Sequence, residues 1–213
     1  MVVRILLADD HTIVRRGLRA LLETRCDFSV CAEASNGREA VELAILHAPD
    51  VVILDISLPL LNGVDATSQI RKSVPGAQIL IFTMHDSPTI IHEVLQAGAR
   101  GYLLKSEGND DVIAAVDALS RRRTYFSSQV SEAMLDVLLQ DGHLRRHSDS
   151  LSSREREIVQ LISEGQSNKQ IAAALQISVK TVETHRSTSM RKLKVHSTAE
   201  LVRYALRNKL IQS

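Results

Sequence analysis

The sequence predicts a doubly wound α/β domain with a parallel five-stranded sheet, followed by a small all-α domain. In residues 1–122, short apolar runs alternate with longer segments whose apolar residues recur every three or four positions, as strands and helices do around a parallel sheet. From residue 149 the pattern is entirely helical. Residues 1–122 carry 12 basic and 16 acidic side chains, whereas residues 149–213 carry 11 and 6. Opposite charges in the two halves indicate two domains with different partners.

The elements of the first domain follow from these runs. Strands are expected at Val3–Ala8, Phe28–Ala34, Val51–Leu54, Gln78–Phe82 and Gly101–Leu104. Helical patterns between them include Ile13–Leu22, Gly37–His47 and Ile90–Ala97. Each helical pattern separates two apolar runs, so the strands are expected to lie parallel.

The second domain is expected at residues 149–213, after a linker over residues 123–148. The linker has a helical pattern near residues 128–139 and then the polar segment QDGHLRRHSDS. Two capping boxes, SSRE at 152–155 and SNKQ at 167–170, mark helix starts. Two further helices are expected after Ser178 and after Ser197.

Composition narrows the class of protein. Aromatic residues make up 3% of the chain and Trp is absent, which argues against a single-strand nucleic-acid binder that stacks bases on rings. No apolar run approaches the roughly 18 residues of a membrane span, and the first residues turn acidic too early for a signal peptide. Cys26 and Cys31 have no metal or redox spacing. We therefore expect a cytoplasmic protein with reduced cysteines and no membrane partner.

Polar residues follow four of the five predicted strands: Asp9 and Asp10, then Asp55, Thr83 and Lys105. The carboxyl ends of parallel strands meet at one edge of the sheet, where ligands bind. Three carboxylates so close together repel one another, and Mg²⁺ relieves that repulsion because it prefers oxygen ligands. A carboxylate beside a cation, an ammonium and a hydroxyl can accept a phosphoryl group, which makes Asp55 the expected nucleophile.

The pair Asp9–Asp10 and the segments LDISLPLLNG, FTMHD and GYLLKS together resemble the receiver domain of two-component response regulators. The resemblance covers the whole first half of the chain and implies its flavodoxin-like fold. It also implies that Asp55 is the phosphoacceptor and that Mg²⁺ is held by Asp10, Asp55 and the backbone carbonyl of Ser57, with Asp9 assisting through water. Lys105 would bind the phosphoryl group.

Within the same resemblance, Thr83 and Tyr102 form the expected switch pair, in which the ring follows the hydroxyl toward the phosphoryl group. A half-buried packing ring is the alternative interpretation of Tyr102. Ser57 and His85 are expected to flank the site. His11, with His47 and His92, is interpreted as an ordinary helix residue, and the histidines show no zinc spacing.

The segment SNKQIAAALQISVKTVETHRSTSMRKLKV predicts two helices, Asn168–Leu175 and Val179 to about Leu193, joined by a tight bend. On the second helix an inward face is expected from Val179, Val182, Met190 and Leu193. The opposite side is a polar stripe, and six basic residues stand against one acid between Lys169 and Lys194. Two such helices describe a helix-turn-helix, although a charged stripe is also typical of a solvated surface.

Residues 151–210 resemble the LuxR-type DNA-binding domain in the segments LSSREREIVQLISEGQSNKQIA, ISVKTVETH and MRKLKV. With the receiver ahead of it, the chain resembles the NarL/FixJ class of transcription regulators. The resemblance implies base contacts from Glu183, Thr184 and Ser187. Contacts with the DNA backbone, which position the protein on the duplex, are expected from Asn168, Lys169, Lys180, Thr181, His185 and Arg191. The alternative for His185 is a local hydrogen bond. The helix Thr198–Arg207 resembles the dimer-forming element.

The sequence therefore predicts a response regulator that a sensor histidine kinase phosphorylates on Asp55, which controls homodimer formation and binding to promoter DNA. RNA polymerase is a further candidate partner, and the chain is not expected to be a dedicated enzyme. A haloacid-dehalogenase-like phosphohydrolase would need a second Asp two positions after the first, where this chain has Ser57. The acid cluster argues against a phosphorylation-independent regulator, and the cationic stripe argues against a protein-binding adaptor.

Overall fold

The computed structural model describes residues 2–132 and 151–211. The chain divides into two compact units, an α/β unit and a helical unit. Residues 128–132 are helical, in agreement with the start of the helix predicted near 128–139. Residues 133–139 and the segment QDGHLRRHSDS lie outside the described residues. The domain limits at residues 122 and 149 thus stay predictions. Among the residues described, none of the helices has the length and the apolar character needed to cross a membrane.

The described part of the α/β unit contains a six-stranded sheet in the order β2-β1-β3-β4-β5-β6, with every pair parallel. The strands are β1 (Val3–Ala8), β2 (Phe28–Ala34), β3 (Val51–Leu54), β4 (Gln78–Thr83), β5 (Gly101–Leu104) and β6 (Tyr125–Phe126). The doubly wound fold and the five predicted strands are confirmed, β4 being one residue longer. The sixth strand corrects the predicted number. Its two residues are too few to show the alternation by which a strand is recognised in a sequence.

The order of the strands reverses between β1 and β3. The chain runs from β1 to β2 on one side and from β3 through β6 on the other, and Ile5 lies opposite Val51 where β1 and β3 meet. All four residues of β3 are buried, and the first polar residue after it, Asp55, stands at the end of this core strand, at the reversal. Such a position is where open parallel sheets bind ligands.

Besides the helix that begins at Ser128, five helices of the α/β unit are described: α1 (Thr12–Leu22), α2 (Gly37–His47), α3 (Gly63–Ser73), α4 (Pro88–Ala97) and α5 (Asn109–Ser120). Alternate residues of each strand face opposite sides. Ile5, Ile53 and Leu80 belong to one buried cluster with residues of α1 and α5. The three predicted helices are confirmed, with α1 and α4 beginning one and two residues earlier than expected.

The helical unit consists, over residues 151–211, of α6 (Ser153–Ser163), α7 (Asn168–Leu175), α8 (Val179–Leu193) and α9 (Thr198–Arg207). Both predicted capping boxes are present, with Ser152 and Ser167 as the N-cap residues. The bend between α7 and α8 passes through Gln176, which has φ 52°. A buried cluster that includes Ile158, Ile171, Val182 and Leu201 joins the four helices.

Candidate functional site

Three carboxylates meet at the carboxyl ends of β1 and β3. Asp9 and Asp10 follow β1, Asp55 follows β3, and an oxygen from each lies within 4.8 Å of the others. Asp9 and Asp55 are only 2% and 4% exposed, while Asp10 is partly buried. The structure therefore brings together the three acids that the sequence predicts for one site, and it buries two of them.

The imidazole of His11 also belongs to this cluster, so its interpretation as an ordinary helix residue is wrong. Its Nδ1 lies 2.7 Å from Asp10 Oδ1 and 3.3 Å from Asp9 Oδ1. His11 is the N-cap residue of α1 rather than an interior residue, and its backbone N–H donates to Asp9 Oδ1 at 2.8 Å. Its position directly after two acids is the sequence signal that identifies it.

Lys105, which follows β5, places its ammonium between two of the carboxylates. The Nζ atom lies 2.7 Å from Asp55 Oδ2 and 2.6 Å from Asp9 Oδ2, and the Lys105 side chain is 10% exposed. Burial alone would lower the pKa of Lys105, but the two carboxylates outweigh it and raise that pKa above its usual value. The side chain is thus a cation held against Asp55.

The backbone next to Asp55 also faces its carboxylate. Asp55 Oδ1 accepts hydrogen bonds from the N–H groups of Ile56 at 2.6 Å and Ser57 at 3.4 Å. Three carboxylates against one ammonium leave the cluster with a net negative charge, and their oxygens are the ligands that Mg²⁺ prefers. The cluster could therefore hold a hard divalent cation. That the backbone carbonyl of Ser57 also binds this cation stays a prediction.

The two residues of the expected switch are connected through His85. Tyr102 is fully buried, and its hydroxyl donates to the His85 carbonyl at 2.7 Å. The backbone N–H of His85 in turn faces Thr83 Oγ1 at 3.5 Å, and Thr83 is also fully buried. Burial raises the pKa of Tyr102 well above its usual value, so the phenol stays neutral and can donate. The ring is fully buried rather than half-buried.

The side chains of Ser57 and His85, which the sequence places at the edge of the site, touch each other. Ser57 Oγ lies 2.7 Å from His85 Nε2. Because the carbonyl of His85 accepts from Tyr102 and the N–H of Ser57 faces Asp55, a continuous set of contacts leads from Asp55 to Tyr102. Sequence reasoning did not find this connection, because Ser57 and His85 lie in different loops.

In the helical unit, α8 exposes the predicted polar stripe, Lys180, Glu183, Thr184, Ser187 and Arg191. Lys169 is exposed as well, while Asn168, Thr181 and His185 are partly buried. On the opposite face Val182 is fully buried, as predicted, and Met190 and Leu193 are partly buried. The inward position predicted for Val179 is wrong. It is 37% exposed, because the first residue of a helix has no preceding turn to cover it.

Several of the predicted DNA-contacting side chains have partners inside the unit. Thr181 Oγ1 lies 2.8 Å from the hydroxyl of Ser178, and Thr184 Oγ1 donates to the Lys180 carbonyl at 2.9 Å. Asn168 Oδ1 accepts from Arg186 Nη1 at 3.5 Å. These bonds restrict the rotamers of the side chains before any contact with DNA forms.

Two basic residues of α8 hold the helix in place rather than face outward from it. Lys192 Nζ lies 2.7 Å from Glu155 Oε2 on α6, and Arg186 Nη2 donates to Thr198 Oγ1 on α9 at 2.7 Å. The pKa of Glu155 is affected first by burial, which raises it, but hydrogen bonds from Lys192 and the Ser152 N–H outweigh burial and lower it. Sequence reasoning counted both bases as part of the cationic surface.

The comparisons with known proteins agree with this geometry. Residues 5–117 match the response regulator receiver domain, and residues 149–205 match the luxR family of bacterial regulatory proteins. The chain belongs to the two-component response regulators that carry a LuxR-type DNA-binding domain. The resemblance to the NarL/FixJ class is thereby confirmed.

Relatives of known identity extend over the whole chain. The chain is 40% identical to the oxygen regulatory protein NreC of Staphylococcus epidermidis, over 99% of this chain and 100% of that protein. It is 39% identical to the transcriptional regulatory protein MctR of Rhizobium johnstonii, over 96% and 93%. A solved structure of RcsB from Salmonella enterica, bound to the promoter rprA in the presence of the phosphomimetic BeF3⁻, is 27% identical, with 96% and 98% covered and a TM-score of 0.64.

Proposed function

We propose that this response regulator is phosphorylated on Asp55 by a sensor histidine kinase, and that phosphorylation controls its dimerisation and its binding to promoter DNA. The observation that carries the proposal is the Lys105 ammonium, which lies within 2.7 Å of Asp55 Oδ2 and 2.6 Å of Asp9 Oδ2. A cation held against a buried carboxylate stabilises the charge that develops during phosphoryl transfer to that carboxylate.

In the transfer step, an Asp55 oxygen forms a bond to phosphorus while the bond from phosphorus to the donor imidazole nitrogen breaks. The electron pair leaves with the imidazole, which then takes a proton from water. Asp10 and Asp55 would hold Mg²⁺, with Asp9 assisting through water, and the ion supplies positive charge to the phosphoryl oxygens when bound. The backbone N–H groups of Ile56 and Ser57 keep the Asp55 carboxylate oriented.

The phosphoryl group then changes the balance of contacts around Asp55. It adds about 1.5 to 2 negative charges and offers strong acceptor oxygens, to which the Thr83 hydroxyl and Lys105 are suited by position. The contacts of Thr83 and Tyr102 with the His85 backbone would carry this change from the site to the loop that follows β4. Only contacts that differ between the inactive and the active conformation contribute to the shift of the equilibrium between them.

The helical unit would deliver the output by placing α8 in the major groove. Its exposed stripe carries the candidate base contacts Glu183, Thr184 and Ser187, and a homodimer would place two copies about one helical turn apart. RcsB, which is similar to this chain, is bound to promoter DNA with a phosphomimetic present, which supports the proposal. We propose in the same way that the chain acts as a regulator and not as a dedicated enzyme, since Ser57 lacks the carboxylate of a general acid.

The experiment compares wild type with Asp55→Ala on fragmented genomic DNA, with and without acetyl phosphate and Mg²⁺. We expect the phosphodonor to raise the occupancy of the bound sites and the dimer fraction for wild type, and to change neither for Asp55→Ala. Equal affinity of the two proteins in the presence of the phosphodonor would contradict phosphorylation control. Sedimentation of the same samples measures the dimer fraction.

A further inference from the structure

The turn between β1 and α1 carries three residues of the acidic cluster, Asp9, Asp10 and His11. The backbone N–H of Asp9 donates to the carbonyl of Ala34 at 3.2 Å, which fixes one side of the turn to β2. The carbonyl of Asp9, on the other side, belongs to the peptide group that joins Asp9 to Asp10. The orientation of this peptide group sets the direction in which the Asp10 side chain leaves the backbone.

That carbonyl is held by an arginine outside the cluster. Arg15 Nη1 donates to the oxygen of Asp9 at 2.6 Å. Arg15 is the fourth residue of α1, and its side chain is only 14% exposed. The Nε of the same guanidinium lies 3.4 Å from Glu33 Oε2 on β2. The planar fork of arginine suits such a double contact, and here it connects α1, the turn and β2.

We propose that Arg15 is a positioning residue for the acidic site. By holding the Asp9 carbonyl, it fixes the peptide group between Asp9 and Asp10 and thereby keeps the Asp10 carboxylate beside Asp55. Glu33 orients the guanidinium for this contact. The inference rests on the proposed magnesium site and adds a residue, outside that site, that sets its geometry.

The charge of Arg15 and its hydrogen bond to the Asp9 carbonyl have opposite expected effects on Mg²⁺ affinity when Arg15 is replaced by a neutral residue. A cation near three carboxylates opposes the binding of a dication, so removal of the charge alone would tighten Mg²⁺ binding. Removal of the hydrogen bond releases the peptide group between Asp9 and Asp10, and this would weaken binding. A loss of affinity in a neutral variant is therefore a signature that charge alone does not produce.

Arg19 offers a matched control in the same helix. Its Nε lies 2.6 Å from Glu33 Oε1 and its Nη1 lies 3.0 Å from Glu23 Oε1. Arg19→Gln thus removes one cation and one contact to the same Glu33, while the hydrogen bond from Arg15 to the Asp9 carbonyl is kept. Arg15→Lys keeps the charge, and its ammonium can still donate to the Asp9 carbonyl, but it does not reproduce the second contact with Glu33, so the peptide group is held only in part.

The test is calorimetric titration of the full-length wild type, Arg15→Gln, Arg15→Lys and Arg19→Gln with MgCl2. We expect Mg²⁺ affinity to fall about tenfold in Arg15→Gln, the scale on which residues that orient metal ligands act. Arg15→Lys should lie between wild type and Arg15→Gln, and Arg19→Gln should stay within about twofold of wild type. Equal or tighter binding by Arg15→Gln, or an equal loss in Arg19→Gln, would overturn the proposal.

A second measurement without metal separates this inference from the magnesium site itself. Amide hydrogen exchange of Asp10 and His11 should be faster in Arg15→Gln than in wild type, with the amides of β3 unchanged. If wild type bound no Mg²⁺, the proposed metal site would be wrong, and these amide rates alone would decide the role of Arg15. Unchanged exchange at Asp10 and His11 would then refute it.

Discussion

The two units carry their functional side chains in opposite surroundings. In the α/β unit, Asp55 is 4% exposed and bonded to Lys105, whose side chain is 10% exposed and also contacts Asp9. In the helical unit, Lys180 and Arg191 are exposed on the outer face of α8. A buried, mutually bonded set is expected to respond as a whole to any one substitution. Exposed side chains, each facing solvent, are expected to contribute separately and nearly additively.

The largest effect is expected from Lys105→Met, which removes the cation shared by Asp9 and Asp55. The rate of phosphorylation by acetyl phosphate with Mg²⁺ should fall about 100-fold, because removal of one preorganised charge-stabilising group costs on that scale. Intact-protein mass spectrometry over time measures the rate. The exposed Lys72 on α3 supplies the control, and Lys72→Met should react like wild type. If Lys105→Met also reacted at the wild-type rate, the buried cluster would not act as one set.

The helical unit also contains a buried carboxylate in an ion pair, as the α/β unit does. Glu155 is only 5% exposed and pairs with Lys192. Glu155→Gln should lower the free energy of unfolding of this unit by about 2 kcal/mol at neutral pH. Amide hydrogen exchange of α8 in the full-length protein measures it. The exposed Glu183 gives the control Glu183→Gln, for which no loss of stability is expected.

The same pair predicts a dependence on pH. Because the folded-state pKa of Glu155 is lowered from 4.5, its stabilisation is present above that value and is lost as the pH falls through the lower folded-state pKa. Wild type and Glu155→Gln should therefore differ in stability above pH 4.5 and converge in acid. A difference that persisted unchanged in acid would show that the charge of Glu155 is not its source.

A smaller effect is expected on the exposed face. Lys180→Met should weaken binding to duplex DNA by about three- to tenfold and reduce the slope of log affinity against log salt by about one, since one proposed phosphate contact would be lost. Fluorescence anisotropy at several salt concentrations gives both values. A slope identical to that of wild type would remove Lys180 from the DNA contacts. Lys72→Met, outside the helical unit, should keep the wild-type slope.

The smallest effect concerns Ser189 in α8, which is fully buried and whose Oγ has no hydrogen-bond partner among the described residues. Ser189→Ala should raise the free energy of unfolding of the helical unit by about 1 kcal/mol, because an unsatisfied hydroxyl is no longer buried. The exposed Ser187→Ala is the control and should leave stability unchanged. Amide hydrogen exchange of α8 measures this stability. Faster exchange in Ser189→Ala than in wild type would contradict the expectation.

The sequence predicts the positions of the acids because each follows an apolar run whose burial is readable from its composition. Asp55 after Val51–Leu54 is the clearest example, since β3 is buried along its whole length. The exposed stripe of α8 is predictable for a similar reason, because helical spacing separates Lys180 and Arg191 from Val182. Local periodicity carries both kinds of information.

The features that the sequence did not predict depend on distances between elements far apart in the chain. Glu155 meets Lys192 across 37 residues, and Arg15 meets Glu33 across 18. No local pattern distinguishes these bases from solvated ones. His11 is different, because its signal was local but its helical context suggested an ordinary residue. The short strand β6 was missed because it is defined by pairing with β5 and not by a pattern of its own.

The central claim is that Asp55 receives the phosphoryl group in the buried cluster. It is tested most directly by treatment of wild type with acetyl phosphate and Mg²⁺, reduction with borohydride, and peptide mass spectrometry. Reduction of an aspartyl phosphate leaves homoserine, so the account predicts homoserine at position 55 and Asp at positions 9 and 10. Unmodified Asp55, or homoserine at another position, would contradict it.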